Sequence, residues 1–148
     1  MSGVENILRQ LARRAREAQT NGRIVQKALQ VTGAEPTVRR KVEAIVEWIR
    51  VQGISTDVQR ETLSLKPPYD ADDAVLVAAS MCVVLGIPCR VVGARVSEHV
   101  WTCWLSFLED SRWYTVNVID GRFVDVRQER VEVEVNEGRA FPSYGGQR

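Results

Sequence analysis

A chain of 148 residues, 45% hydrophobic and 26% charged, has room for one domain with a real core and the balance of a globular protein. Its net charge of +1 lacks the concentrated basic excess of a nucleic-acid binder, and no apolar run approaches the ~20 residues of a membrane span. The charge is uneven: residues 1–60 hold 11 Lys/Arg against 6 Asp/Glu, and residues 61–148 hold 9 against 13. Charged residues in the opening stretch, residues 1–14, interrupt the apolar core that a signal peptide needs, so the expected location is the cytoplasm. Cys82, Cys89 and Cys103 are odd in number and lack metal-type spacing, which predicts free thiols.

Along the chain, residues 4–19 predict a helix with Ile7, Leu8, Leu11, Ala12 and Ala15 on one face and Arg9, Arg13 and Arg16 on another. Asn21-Gly22 breaks it, and a short helix follows from about Ile24 to Val31, ending at Gly33. Pro36 suits the first turn of a third helix, whose apolar face is Val38, Val42, Ile45, Val46 and Ile49. Residues 54–69 show little periodicity, and Pro67-Pro68 makes their end extended. Asp70 or Asp72 caps the next helix, which is apolar almost all round over residues 74–85 and therefore predicted to be buried.

After Gly86 the pattern changes to β-branched and aromatic runs at 89–96, 99–108, 112–119, 122–127 and 131–135. Glu109-Asp110-Ser111 and Asp120-Gly121 mark the turns. Helices first and strands last predict an α+β domain with N-terminal helices packed on an antiparallel sheet. The tail from residue 137 reads as loose.

The single histidine, His99, opens a strand in the order His99-Val100-Trp101. It belongs to a series: Tyr69-Asp70-Ala71-Asp72-Asp73 before the buried helix, Gly86-Ile87-Pro88-Cys89-Arg90 at its exit, His99-Val100-Trp101, then Trp113 through Asn117. That series, over about residues 36–120, resembles the transglutaminase-like superfamily, a papain-like cysteine-enzyme fold, and in particular its short stand-alone members in tailed-phage genomes. The resemblance divides the chain into a helical extension (1–35), a transglutaminase-like domain (36–136) and a flexible tail (137–148). It implies that Ala71 stands at the nucleophile position, that His99 is the proton carrier, and that Asn117 orients its ring. Tyr69, Asp70, Asp72 and Trp101 are implied to line the site.

In such a site a thiol at a helix N-terminus ionises easily, and the imidazole moves its proton. Ala71 offers a methyl group, which has no lone pair to attack a carbonyl. If the catalytic geometry is kept, the His99 ring lies within about 4–5 Å of the Ala71 Cβ with Asn117 at its other nitrogen. Cys82 lies ~16 Å along the same helix from Ala71, Cys103 ~13 Å along the strand from His99, and Cys89 past the helix exit; all three read as buried hydrophobes. Asp70, Asp72 and Asp73 read as a cap and first-turn acids rather than metal ligands, and Trp101, Trp104 and Trp113 as cross-strand core pairs. No cofactor or metal is expected.

The resulting expectation is a catalytically inactive transglutaminase-like domain with a structural or interaction role, engaging protein partners or copies of itself, in a virion if the gene is a phage's. The alternative is a Cys-to-Ala form of a cysteine peptidase, amidase or transglutaminase using a Cys-His-Asn triad. The N-terminal amphipathic helix either packs on its own domain or docks on a partner.

Overall fold

The computed structural model describes residues 3–52, 71–136 and 140–143. Among the described residues four α-helices precede six strands: α1 Gly3–Glu17, α2 Gly22–Thr32, α3 Val38–Gln52, α4 Ala71–Val84, β1 Cys89–Ser97, β2 Val100–Glu109, β3 Arg112–Val116, β4 Phe123–Val124, β5 Arg130–Glu134 and β6 Ala140–Ser143. The expected extended stretch 54–69 lies outside the described residues.

Local chemistry sets the helix ends. The Asn21 side chain accepts from the backbone N–H groups of Arg23 (3.1 Å) and Ile24 (3.4 Å), capping α2. Thr37, not Pro36, opens α3: its hydroxyl accepts from Arg40 N–H at 3.1 Å. Glu109 at the end of β2 accepts from Arg39 N–H at 2.8 Å and so ties the first turn of α3 to the sheet. At the end of α4, Gly86 takes a positive φ of 74°. There Ile87 N–H bonds Cys82 O at 2.8 Å and Gly86 N–H bonds Val83 O at 3.1 Å, a Schellman stop that turns the chain directly into β1.

The strands form one sheet in the order β4-β3-β2-β1-β5-β6, antiparallel at every junction. Asp110 and Ser111 have φ of 51° and 66° and close β2–β3 as a two-residue hairpin. The expected strands 112–119 and 122–127 are shorter in the fold. Asn117 turns the chain after Val116, and the chain leaves the edge after Val124 because it must cross to the far side of β1. The tail contributes β6, paired with β5, where the sequence gives no strand signal.

Helix α4 is the centre of the core, with residues 73–83 all buried. Its apolar surround is met by α1, α2 and α3 and by Cys89, Val91, Cys103, Leu105 and Phe107 of the sheet. The opposite sheet face buries a smaller cluster, Val92, Ala94 and Trp104, under Val126 of the β4–β5 crossing. Helix α1 packs on its own domain, against α4, β1 and β5, burying Leu8, Leu11, Ala12 and Ala15 while Ile7 stays half exposed.

Candidate functional site

Ala71 is the first residue of α4, with Asp72 and Asp73 in the same turn. An N-terminal helix turn concentrates positive potential, which favours the two carboxylates there. Asp72 is exposed and Asp73 buried. Tyr69 and Asp70 lie outside the described residues.

Next to this turn is a cavity of about 130 Å³. It is lined by Asp72, by Gly93 of β1, by Trp101, Thr102 and Cys103 of β2, and by Val4, Ile7 and Leu8 of α1. The wall from α1 is close: a Cβ added at Gly93 would lie 2.7 Å from Val4 Cγ1 and 3.1 Å from Leu8 Cδ1. Only glycine lets α1 lie this near the strand. Of the expected site residues, then, Asp72 and Trp101 are brought together at the start of α4.

His99 and Asn117 are not brought together. The fold begins β2 at Val100, so His99 falls in the β1–β2 turn rather than on a strand. Arg95 holds that turn, donating to Ser97 O (3.3 Å) and Glu98 O (2.7 Å). The His99 side chain is 88% exposed, and Nε2 stands 3.9 Å from Glu98 Oε1. The amide of Asn117 serves its own turn, with Oδ1 accepting from Ile119 N–H at 2.9 Å and Nδ2 donating to Asp120 at 3.5 Å. No hydrogen bond joins the two side chains, and a ring that exposed does not pack against Ala71. The expected catalytic contact is absent because the hairpin turns at His99 and because asparagine is committed to an Asx turn.

The cysteines are buried thiols. A hydrogen bond with Cys82, then burial, then electrostatic coupling to Cys82 push the Cys89 thiol well above its ordinary range. Such a thiol stays protonated and is a poor nucleophile. Cys103 lines the cavity beside Asp72 and not beside His99. Among the described residues no group of three His, Cys, Asp or Glu side chains gathers as a metal site requires, and no helix is long and apolar enough to cross a membrane.

Sequence reasoning missed Gly93, Thr102, Cys103 and the α1 residues as cavity walls. Strand alternation from Trp101 signals Cys103; no signal in the sequence identifies what α1 covers.

No protein-family model matches the chain, and no curated protein does. Solved structures do. A candidate cysteine protease from Cytophaga hutchinsonii superposes with a TM-score of 0.54 at 16% identity, over 80% of this chain and 43% of its own. A candidate protease from Parabacteroides distasonis ATCC 8503 reaches 0.63 at 14% identity, over 95% and 31%. A TGase reaches 0.52 at 14%, over 77% and 34%. The α+β architecture is therefore of the transglutaminase-like, papain-like class. The chain spans less than half of each neighbour's length, 43%, 31% and 34% in turn, and the likeness concerns the fold alone.

Proposed function

We propose that the chain is a catalytically inactive transglutaminase-like domain that serves as a structural or interaction protein. The observation carrying this reading is that none of the three positions presents the group that the chemistry needs. Residue 71 has no nucleophilic atom, His99 points into solvent from a hairpin turn, and the Asn117 amide is used within its own turn. The cavity beside the start of α4 is walled on one side by the chain's own first helix. A place in a phage virion or its assembly is the particular form suggested by the resemblance to short stand-alone phage members, and it has that support alone.

The alternative reading keeps the same fold and treats Ala71 as a substitute for cysteine in a Cys-His-Asn enzyme. Ala71→Cys separates the two. The variant is assayed for hydrolysis of activated esters and of peptides, and for transfer of an amine to protein-bound glutamine. The inactive-domain reading expects rates no different from the unaltered chain. Turnover that appears with the thiol and is abolished by iodoacetamide would favour the enzyme.

A further inference from the structure

Among the described residues, the outer edge of β3 is only half covered. β3 runs over Arg112–Val116, but β4 pairs with Thr115 and Val116 alone. The two-residue hairpin closing at Glu109 and Arg112 decides which backbone groups face which way. Arg112, Tyr114 and Val116 direct theirs to β2, whereas Trp113, Thr115 and Asn117 direct theirs to the outer edge. Asn117 N–H accordingly bonds Arg122 O at 2.9 Å, and Thr115 faces Val124. Past Val124 the chain turns away toward β5, and no backbone group of the described residues meets the outward N–H and C=O of Trp113.

Beside that pair of groups lies a groove of about 440 Å³ walled by Trp113, Tyr114, Phe123, Val124 and Val126. Its two sides differ in chemistry. On the Trp113 side the walls are Trp113, Val124, Val126 and Thr115, whose hydroxyl is taken up by Ser106 at 2.6 Å; the indole lies under the Arg90 guanidinium at 3.9 Å, itself held by Glu134 at 3.0 Å. On the Tyr114 side the Arg39 guanidinium lies over the rings of Phe123 (4.3 Å) and Tyr114 (5.5 Å). Arg39 makes no ion pair among the described residues. The Glu109 carboxylate is occupied on the Arg39 backbone N–H, and Asp125, which also borders the groove, is paired with Arg127 at 2.8 Å.

We propose that this groove captures an extended segment of a partner protein, added as a short strand beside Trp113 and carrying alternating apolar and acidic side chains. An unfilled strand edge is matched best by another strand, which supplies a C=O for the Trp113 N–H and an N–H for its C=O. The residue opposite Trp113 shares its face and sits on Trp113 and Val124, hence apolar; its neighbours fall on the other face, beside Arg39 and Arg112, hence acidic. The groove shares no residue with the cavity at the start of α4, so the proposal stands or falls separately from the loss of catalysis.

The test uses the full chain and a fluorescein-labelled hexapeptide of alternating valine and glutamate, read by fluorescence polarisation. Controls are the same peptide with lysine for glutamate and the same peptide N-methylated at alternate amides. The expected result is saturable binding of the glutamate peptide, weakened several-fold by Arg39→Glu and lost on N-methylation. No saturation up to about 1 mM, a range in which even weak specific binding is seen, overturns the proposal. So does equal binding of the lysine or N-methylated peptide, a comparison that needs no variant to fold.

Discussion

Val4 of α1 and Gly93 of β1 are in contact so close that a Cβ on the glycine would meet the Val4 Cγ1 at 2.7 Å. The first helix is thereby fitted to the strand beside the start of α4, and its apolar stripe is part of the domain core rather than a free docking face. Gly93→Ala forces α1 outward, and overpacking of this kind costs about 1–3 kcal/mol. Denaturant unfolding of Gly93→Ala, Val4→Ala and the double variant gives the check. The double variant recovers part of the loss; strict additivity would deny the contact.

Leu8 and Leu11 are almost fully buried, so truncating either leaves a cavity. Leu8→Ala or Leu11→Ala is expected to lower stability by about 2–5 kcal/mol. Deleting residues 1–20 goes further, and the shortened chain is expected to lose its cooperative unfolding transition in calorimetry. A truncated chain that melts as before would return α1 to the role of an external docking element.

On the opposite face, Arg130 and Glu132 are buried side chains with Arg130 Nε 3.6 Å from Glu132 Oε2. Removing one member of a buried pair leaves the other charge poorly compensated, at a cost of about 3–5 kcal/mol. Glu132→Ala is expected to show such a loss, and Arg130→Met with Glu132→Leu to recover most of it, measured by urea midpoints. A double variant as weak as the single one would mean that the pair is held for packing rather than charge.

The buried thiol of Cys89 links stability to pH. Its hydrogen bond with Cys82 and its burial raise the folded pKa above the unfolded value, so its contribution is full below the unfolded thiol pKa. That contribution is lost as pH rises above about 8.5 toward the folded value, because only the unfolded chain readily releases the proton. The fall in unfolding free energy between pH 8 and 10 is expected to be shallower in Cys89→Ala than in the unaltered chain. Parallel curves would remove Cys89 as the cause.

Much of this fold is legible in the sequence because local signals agree with the tertiary result. The all-round apolar run 74–85 is the central helix, Gly86 stops it, and Asp110-Ser111 accepts the positive φ of a tight hairpin. β6 was not legible, since Ala140–Ser143 becomes a strand only through pairing with β5. The site was legible in part. Motif order suggests which strand follows which, but not the residue at which a hairpin turns, and a turn ending one residue later takes His99 off β2. Asn117 has the side chain for ring orientation and equally for an Asx turn; the second use needs no partner from another strand. The α1 stripe tells that it must be buried, and only the glycine opposite Val4 tells where.

An inactive domain requires that residue 71 and His99 not be coupled. The most direct test is the pH dependence of iodoacetamide alkylation of Ala71→Cys, alone and combined with His99→Ala, with Cys82, Cys89 and Cys103 followed separately by peptide mapping. A thiol at the start of α4 feels the helix dipole in either background. The alkylation profile is expected to be the same with and without His99. A thiol pKa that rises when His99 is removed would show an assembled thiolate–imidazole pair and would overturn the inactive-domain reading.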